Sequence, residues 1–261
     1  MIIIPARLNS SRFANKILVD ILGLPMVIRT AKQVSSLDKV VIATDSQEVI
    51  DLASQYGFDA VMTSSSHNSG TDRINEAVNI LNLSDDEIIV NVQGDEPFIE
   101  IEVVQAVINR VKQIKENNED IMITSCYKEI SSELADDPNH VKVVLDEHSN
   151  AIYFSRAKVP YHRDHHEVSS YSGHLGIYGF TKKSLNAFCK LNSSKFKSLD
   201  IMAKSIPPLF RATRPANEPP PCKATFTWVC FSRNGVTNKA TKRDTATDPE
   251  IINSFWALAM K

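Results

Sequence analysis

Ile88-Ile89-Val90-Asn91-Val92-Gln93-Gly94-Asp95-Glu96-Pro97 is the stretch on which the fold turns. β-Branched apolar side chains dominate its first five residues, the pattern of a strand buried on both faces. Gln93-Gly94 breaks the run, two carboxylates follow, and Pro97 stops any ladder. In an open α/β sheet the carboxyl end of a central strand opens into the ligand crevice. Asp95 and Glu96 delivered to that edge suit a hard cation such as Mg²⁺ beside substrate phosphates. A plain acidic turn would read the same over ten residues, so the rest of the chain decides.

Working outward, Met1–Pro5 predicts a short buried strand ended by proline. The loop after it, Ala6 to Lys16, concentrates Arg7, Arg12 and Lys16 with Ser10 and Ser11. Arg forks, a Lys point charge, hydroxyls and backbone N–H groups together suit phosphate. A glycine-rich dinucleotide fingerprint and a Walker lysine are both absent. Helical periodicity over 26–35, a strand over 39–43, a helix over 46–56 ended by Gly57, and a strand over 60–63 follow. That rhythm predicts βαβ units around a mostly parallel sheet, an α/β fold of Rossmann-like kind with a smaller lobe.

His67 to Arg73 opens a helix over 74–81, with Thr71 and Arg73 placed to meet a polar ligand at its N-terminus. An ordinary Thr/Asp cap explains the same residues. A helix over 100–117, a strand over 122–126 and a hairpin of 140–146 with 151–156 come next, the hairpin ending in Arg156 and Lys158. His174 to Phe180 is a glycine-punctuated strand on which His174 and Tyr178 share a face, and Thr181 caps a helix to about Leu191.

Composition sets bounds: 261 residues, 43% hydrophobic, 23% charged and a net charge of −2 describe an ordinary globular chain without the basic surplus of a nucleic-acid binder. No apolar run reaches membrane-spanning length, and no signal peptide is expected. Cys126, Cys189, Cys222 and Cys230 have no Cys-x-x-Cys spacing, so reduced thiols in a cytoplasmic protein are expected. The character changes near residue 196: seven of the 12 prolines lie beyond it, with ten Lys/Arg against five Asp/Glu.

Seven motifs in one order make the chain resemble the 3-deoxy-manno-octulosonate (Kdo) cytidylyltransferases over about residues 1–195. They are Ile-Pro-Ala-Arg…Ser-Arg…Lys at 4–16, Ala-Thr-Asp at 43–45, His-x-Ser-Gly-Thr-Asp-Arg at 67–73, and Val-Asn-Val-Gln-Gly-Asp-Glu-Pro at 90–97. Val-Lys-Val-Val-Leu-Asp at 141–146, Tyr-Phe-Ser-Arg-Ala at 153–157, and His-Leu-Gly-Ile-Tyr-Gly at 174–179 complete the set. The resemblance implies a nucleotide-diphospho-sugar transferase fold that joins CTP to Kdo, releasing pyrophosphate, for lipopolysaccharide synthesis. It implies that Arg7, Ser10, Arg12 and Lys16 cradle the CTP phosphates, that Thr71, Arg73 and Gln93 line the nucleotide and its neighbouring sugar acid, and that Asp95 ligates Mg²⁺. Arg156, His174 and Tyr178 would meet Kdo, and Arg7, Arg12, Lys16 and Asp95 would carry the catalysis. A homodimer through a smaller lobe, about 120–185, is implied too.

The pattern departs after residue 195. The family's helix with its Glu-Gln pair is missing, Ser198–Pro208 standing there instead. Asp244-Thr245-Ala246-Thr247-Asp248 repeats the spacing of the family's second metal site, nominating Asp244, but Lys242-Arg243 and Pro249 replace its apolar flanks. Residues 196–261 are therefore expected to be an atypical, proline-rich basic segment that impairs activity, as a frameshifted or chimaeric end would. Within it, 225–231 predicts a strand and 251–260 a short helix. The alternatives are a cytidylyltransferase for another acidic sugar, such as a sialic acid or an 8-amino Kdo analogue, and an inactive CTP-binding homologue.

Overall fold

A computed structural model describes residues 1–8, 15–67, 69–119, 122–147, 149–161, 170–191 and 230–231. Strands Ile2–Ala6 (β1), Asp20–Ile21 (β2) and Leu24–Pro25 (β3) precede helix Met26–Val34 (α1). Val40–Thr44 (β4), Gln47–Gln55 (α2), Asp59–Met62 (β5), Gly70–Ile80 (α3) and Ile88–Asn91 (β6) follow. Then come Ile101–Glu116 (α4), Thr124–Ile130 (β7), Ser132–Asp136 (α5), Lys142–Leu145 (β8), Ala151–Ser155 (β9), Tyr171–Thr181 (β10), Lys182–Lys190 (α6) and Cys230–Phe231 (β11).

The main sheet runs β11-β7-β10-β6-β1-β4-β5, with β8 on β10 and β9 on β8. β6, β1, β4 and β5 are parallel, and β10 enters antiparallel between β6 and β7. Alternation along β1 feeds two cores, as the two-residue period of a strand requires. Ile2, Ile4 and Ala6 pack with α1, α2 and α4 on one side, while Ile3 packs with α3 and α6 on the other. Both faces are covered, which explains the unbroken apolar runs in β1, β4 and β6. Among the described residues no helix is long and apolar enough to cross a membrane.

Three expectations change. β1 continues through Pro5 to Ala6 instead of ending at the proline. Met1 and Ile3 accept from β6 through Val90 and Val92, so Pro5 turns the same side outward where β6 has already ended, and no ladder bond is lost. α3 starts at Gly70, four residues earlier than expected, because Ser69 caps it by accepting from the Asp72 backbone N–H. β10 is eleven residues long, beginning at Tyr171, and β7 runs on to Ile130 opposite it. The two-residue β11 lies parallel to β7, inside the segment 225–231 read as a strand.

Candidate active site

The carboxyl ends of β1, β4 and β6 meet on one edge, and the candidate residues follow them directly. Asp95, in the turn after β6, accepts from Lys16 Nζ at 2.9 Å, its side chain 43% exposed. The turn is fixed from behind. A Cβ on Gly94 would lie 3.1 Å from the Pro5 carbonyl oxygen, so glycine lets the turn sit against β1. The buried Thr30 hydroxyl on α1, 3.1 Å from the Met26 carbonyl, is also 3.2 Å from the Gly94 carbonyl. Burial first, and then the charge of Asp95, push the neighbouring Glu96 carboxyl up to about 7. Thr30→Val, of the same shape, leaves the buried Gly94 carbonyl without that donor and is expected to cost about 1–3 kcal/mol. Urea unfolding at unchanged m-value measures it, and a wild-type midpoint would show that another donor takes over.

Asp45 follows β4, and the Ala-Thr-Asp motif at 43–45 assigns it no role in the site. Its carboxylate accepts from Arg73 Nη2 at 2.8 Å, while Arg73 Nη1 donates to Thr63 Oγ1 at 2.6 Å. Leu8 N–H also reaches Asp45, at 3.4 Å. Arg73 is buried, so its guanidinium ties α3 to the ends of β4 and β5, and Ser46 caps α2 without a side-chain bond. Just before α3, His67 Nε2 and the Ser64 N–H both meet Glu76, at 2.5 and 2.7 Å. Desolvation opposes ionisation of Glu76, yet its bonds to His67 and Ser64 hold it below the usual carboxylate range.

Gln93 lies between the start of α3 and β10. A Cβ on Gly70 would come 3.7 Å from its Oε1, and one on Gly176 4.0 Å from its Cγ. Its Nε2 donates to Asn91 Oδ1 at 3.3 Å, and the buried Asn91 Nδ2 has no partner among the described residues. Thr71 is the second residue of α3, and its carbonyl accepts from Cys189 Sγ at 3.8 Å. Arg7, after β1, is exposed.

On β10, His174 and Tyr178 share a face as expected, their ring centroids 5.6 Å apart, although the strand bulges between them. Leu175 pairs with Cys126 and Tyr178 with Ser125, so two extra residues intervene, and an even insertion preserves the facing. Burial pushes the His174 ring down to about 3 and the Tyr178 phenol above its ordinary value, leaving both neutral. Arg156 is exposed and donates to the Pro138 carbonyl at 2.7 Å. The fully buried Lys142 donates to the carbonyls of Arg156, at 2.6 Å, and Asp137, at 3.2 Å, tying the root of Arg156 to the same loop. Its place inside an apolar run hid that role.

The structure thus brings Lys16 to Asp95 and His174 to Tyr178, sets Gln93 between Gly70 and Gly176, and ties Arg73 to Asp45 instead of leaving it open. Ser10, Arg12, Asp244 and nearly all of 196–261 lie outside the described residues. Among the described residues no cluster of three or more His, Cys, Asp or Glu forms a cation cage. An exposed carboxylate beside a lysine fits a cation whose remaining ligands come from phosphate and water.

A cytidylyltransferase family model matches residues 1–206. The chain is 52% identical over 201 residues to the 3-deoxy-manno-octulosonate cytidylyltransferase of Nitratiruptor sp., covering 77% of this chain and 83% of that protein. Identity to the namesake enzyme of Wolinella succinogenes is 48% over 202 residues, with the same coverage. Among solved structures, a CMP:2-keto-3-deoxy-manno-octonic acid synthetase complexed with CTP superposes with a TM-score of 0.65 at 34% identity, over 74% of this chain and 78% of that one. The expected nucleotidyltransferase fold and the family resemblance are both borne out, and the chain belongs to the cytidylyltransferases, among those that carry the name 3-deoxy-manno-octulosonate cytidylyltransferase.

Proposed function

We propose that this enzyme activates Kdo with CTP, giving CMP-Kdo and pyrophosphate for lipopolysaccharide synthesis in the cytoplasm. The observation that carries this reading is Asp95 paired with Lys16 at the end of β6, beside Gln93 and the His174–Tyr178 face. Lys16, with Arg7, Ser10 and Arg12, takes the CTP phosphates, and Asp95 holds Mg²⁺. Mg²⁺ held there by Asp95 would supply positive charge to offset the negative charge developing in phosphoryl transfer. Lys16 exchanges its carboxylate partner for phosphate as nucleotide enters. Thr71 and Gln93 line the nucleotide and the sugar acid. Arg73 acts from behind through Asp45, and Arg156, His174 and Tyr178 meet Kdo.

Release of pyrophosphate on mixing the chain with Mg²⁺, CTP and Kdo tests the reading, and no release with Kdo but release with another acidic sugar would redirect it. A second reading has its own support: the family match stops at residue 206 and the Glu-Gln pair is missing. On that reading 196–261 slows or abolishes turnover, and calorimetry would find CTP binding without release. Retained turnover that Asp244→Ala abolishes would instead make Asp244 the second metal ligand.

Arg12→Ala is expected to weaken CTP binding far more than Kdo binding, because a phosphate contact carries no information about the sugar. A hydrogen bond to a charged group contributes roughly 1.5–3 kcal/mol, about ten-fold or more in Kd. Equal losses for both ligands in calorimetry would show the loop misassigned. The exposed Ile152 and Tyr153 on β9 and Leu134 on α5 support pairing of two copies through the smaller lobe, which light scattering checks.

A further inference from the structure

Ser125 is buried on β7, opposite the point where β10 carries its two extra residues. Its Oγ lies 2.7 Å from the Ile177 carbonyl oxygen, 3.3 Å from that of Leu175, and 3.0 Å from Nε2 of His174. A hydroxyl has one proton to give and two lone pairs. The two carbonyls can only accept, whereas an imidazole nitrogen donates or accepts according to tautomer. Giving the proton to Nε2 would take it from both carbonyls, at a bulge where the ladder is interrupted. Giving it to Ile177, the nearest acceptor, leaves a lone pair facing Nε2, and only an N–H there completes the set.

We infer that Ser125 is a positioning residue that holds His174 in the Nε2–H tautomer, with Nδ1 as the acceptor side of the ring. Burial keeps the imidazole neutral, pushed down to about 3, so a tautomer is defined at neutral pH. The Phe154 ring, inclined at 68° with its centroid 4.9 Å away, and the Tyr178 ring set its plane. Resting on the proposed reading that His174 meets the sugar acid, the assignment separates the groups of that ligand. Any partner of Nδ1 must bring a proton, so a hydroxyl or an N–H fits there and a carboxylate does not.

Two-bond ¹H–¹⁵N spectra of the full chain, labelled at its histidines, test this at pH 7, with the His174 pattern assigned by its loss in His174→Gln. The expected wild-type result is a protonated-type nitrogen correlated with both ring protons, which identifies Nε2, and an unprotonated-type Nδ1. Ser125→Ala is expected to turn this into a mixture of tautomers, and Ser125→Thr, which keeps the hydroxyl, to restore it. An Nδ1–H or doubly protonated ring in the wild type, or an unchanged pattern in Ser125→Ala, overturns the inference. If Ser125→Ala fails to fold, the wild-type spectrum still decides. Failure of the proposed reaction would appear separately, as no pyrophosphate release from a chain whose His174 keeps the expected tautomer.

Discussion

Asp95→Asn is expected to leave the fold intact and to remove most of the CMP-Kdo synthesis that the chain supports. The side chain keeps its shape, and the pair it loses with Lys16 is partly exposed, so stability should change by no more than about 1 kcal/mol. The catalytic effect is of another size. If Asp95 holds the metal as proposed, a carboxylate on a metal that neutralises the reacting phosphates would contribute several kcal/mol to the transition state, and each ~1.4 kcal/mol is ten-fold in rate. A fall of roughly a hundred- to a thousand-fold is therefore expected, together with loss of the Mg²⁺ enhancement of CTP binding in calorimetry. Near-wild-type turnover, or Mg²⁺-enhanced binding that survives, would move the metal away from β6. The binding arm reads out even if the chain turns over slowly.

Gly179→Ala is expected to cost stability by overpacking. A Cβ there would lie 2.5 Å from Thr124 Oγ1 and 2.6 Å from both Val107 Cγ1 and Val111 Cγ2. Those atoms belong to β7 and to two successive turns of α4, so a single methyl pushes on a neighbouring strand and a helix together. Overpacking of this kind costs about 1–3 kcal/mol, and the Thr124 hydroxyl bond to the Gly179 carbonyl, already long at 3.4 Å, would be disturbed as well. At this chain length ~1 kcal/mol moves Tm by about 2–4 °C, so calorimetry should show a fall of several degrees. An unshifted Tm would mean that α4 slides away from β10 without loss.

Much of the sheet is legible in the sequence because burial on both faces leaves a direct imprint: 88–92, 1–5 and 39–43 read as strands, and β6, β1 and β4 match them to within one residue at each end. Lys16 and Asp95, 79 residues apart, were nominated separately by a basic loop and an acidic turn, and they meet. Three residues escaped notice for a common reason: their chemistry depends on a distant partner. Asp45 resembles a capping residue until Arg73 is seen beside it. Lys142 sits in an apolar strand, and its acceptors are backbone carbonyls with no signature. Ser125 acquires its role from a bulge in another strand, and bulges leave no periodic trace. Arg73 shows the converse, since the motif reads as a ligand contact while the guanidinium also ties Asp45 to Thr63.

The position of β10 bears on how the chain is made. In space it is interior, between β6 and β7, yet in sequence it follows both by more than forty residues. A ribosome therefore releases β1, β4, β5 and β6 early enough to pair, and the nascent sheet then waits with its β6 edge open until Tyr171–Thr181 emerges. An unpaired edge of β-branched residues invites a second chain to take the place. Products that stop before residue 171 lack the middle of their own sheet and should collect as aggregates, whereas those that reach Thr181 can seal the edge from within.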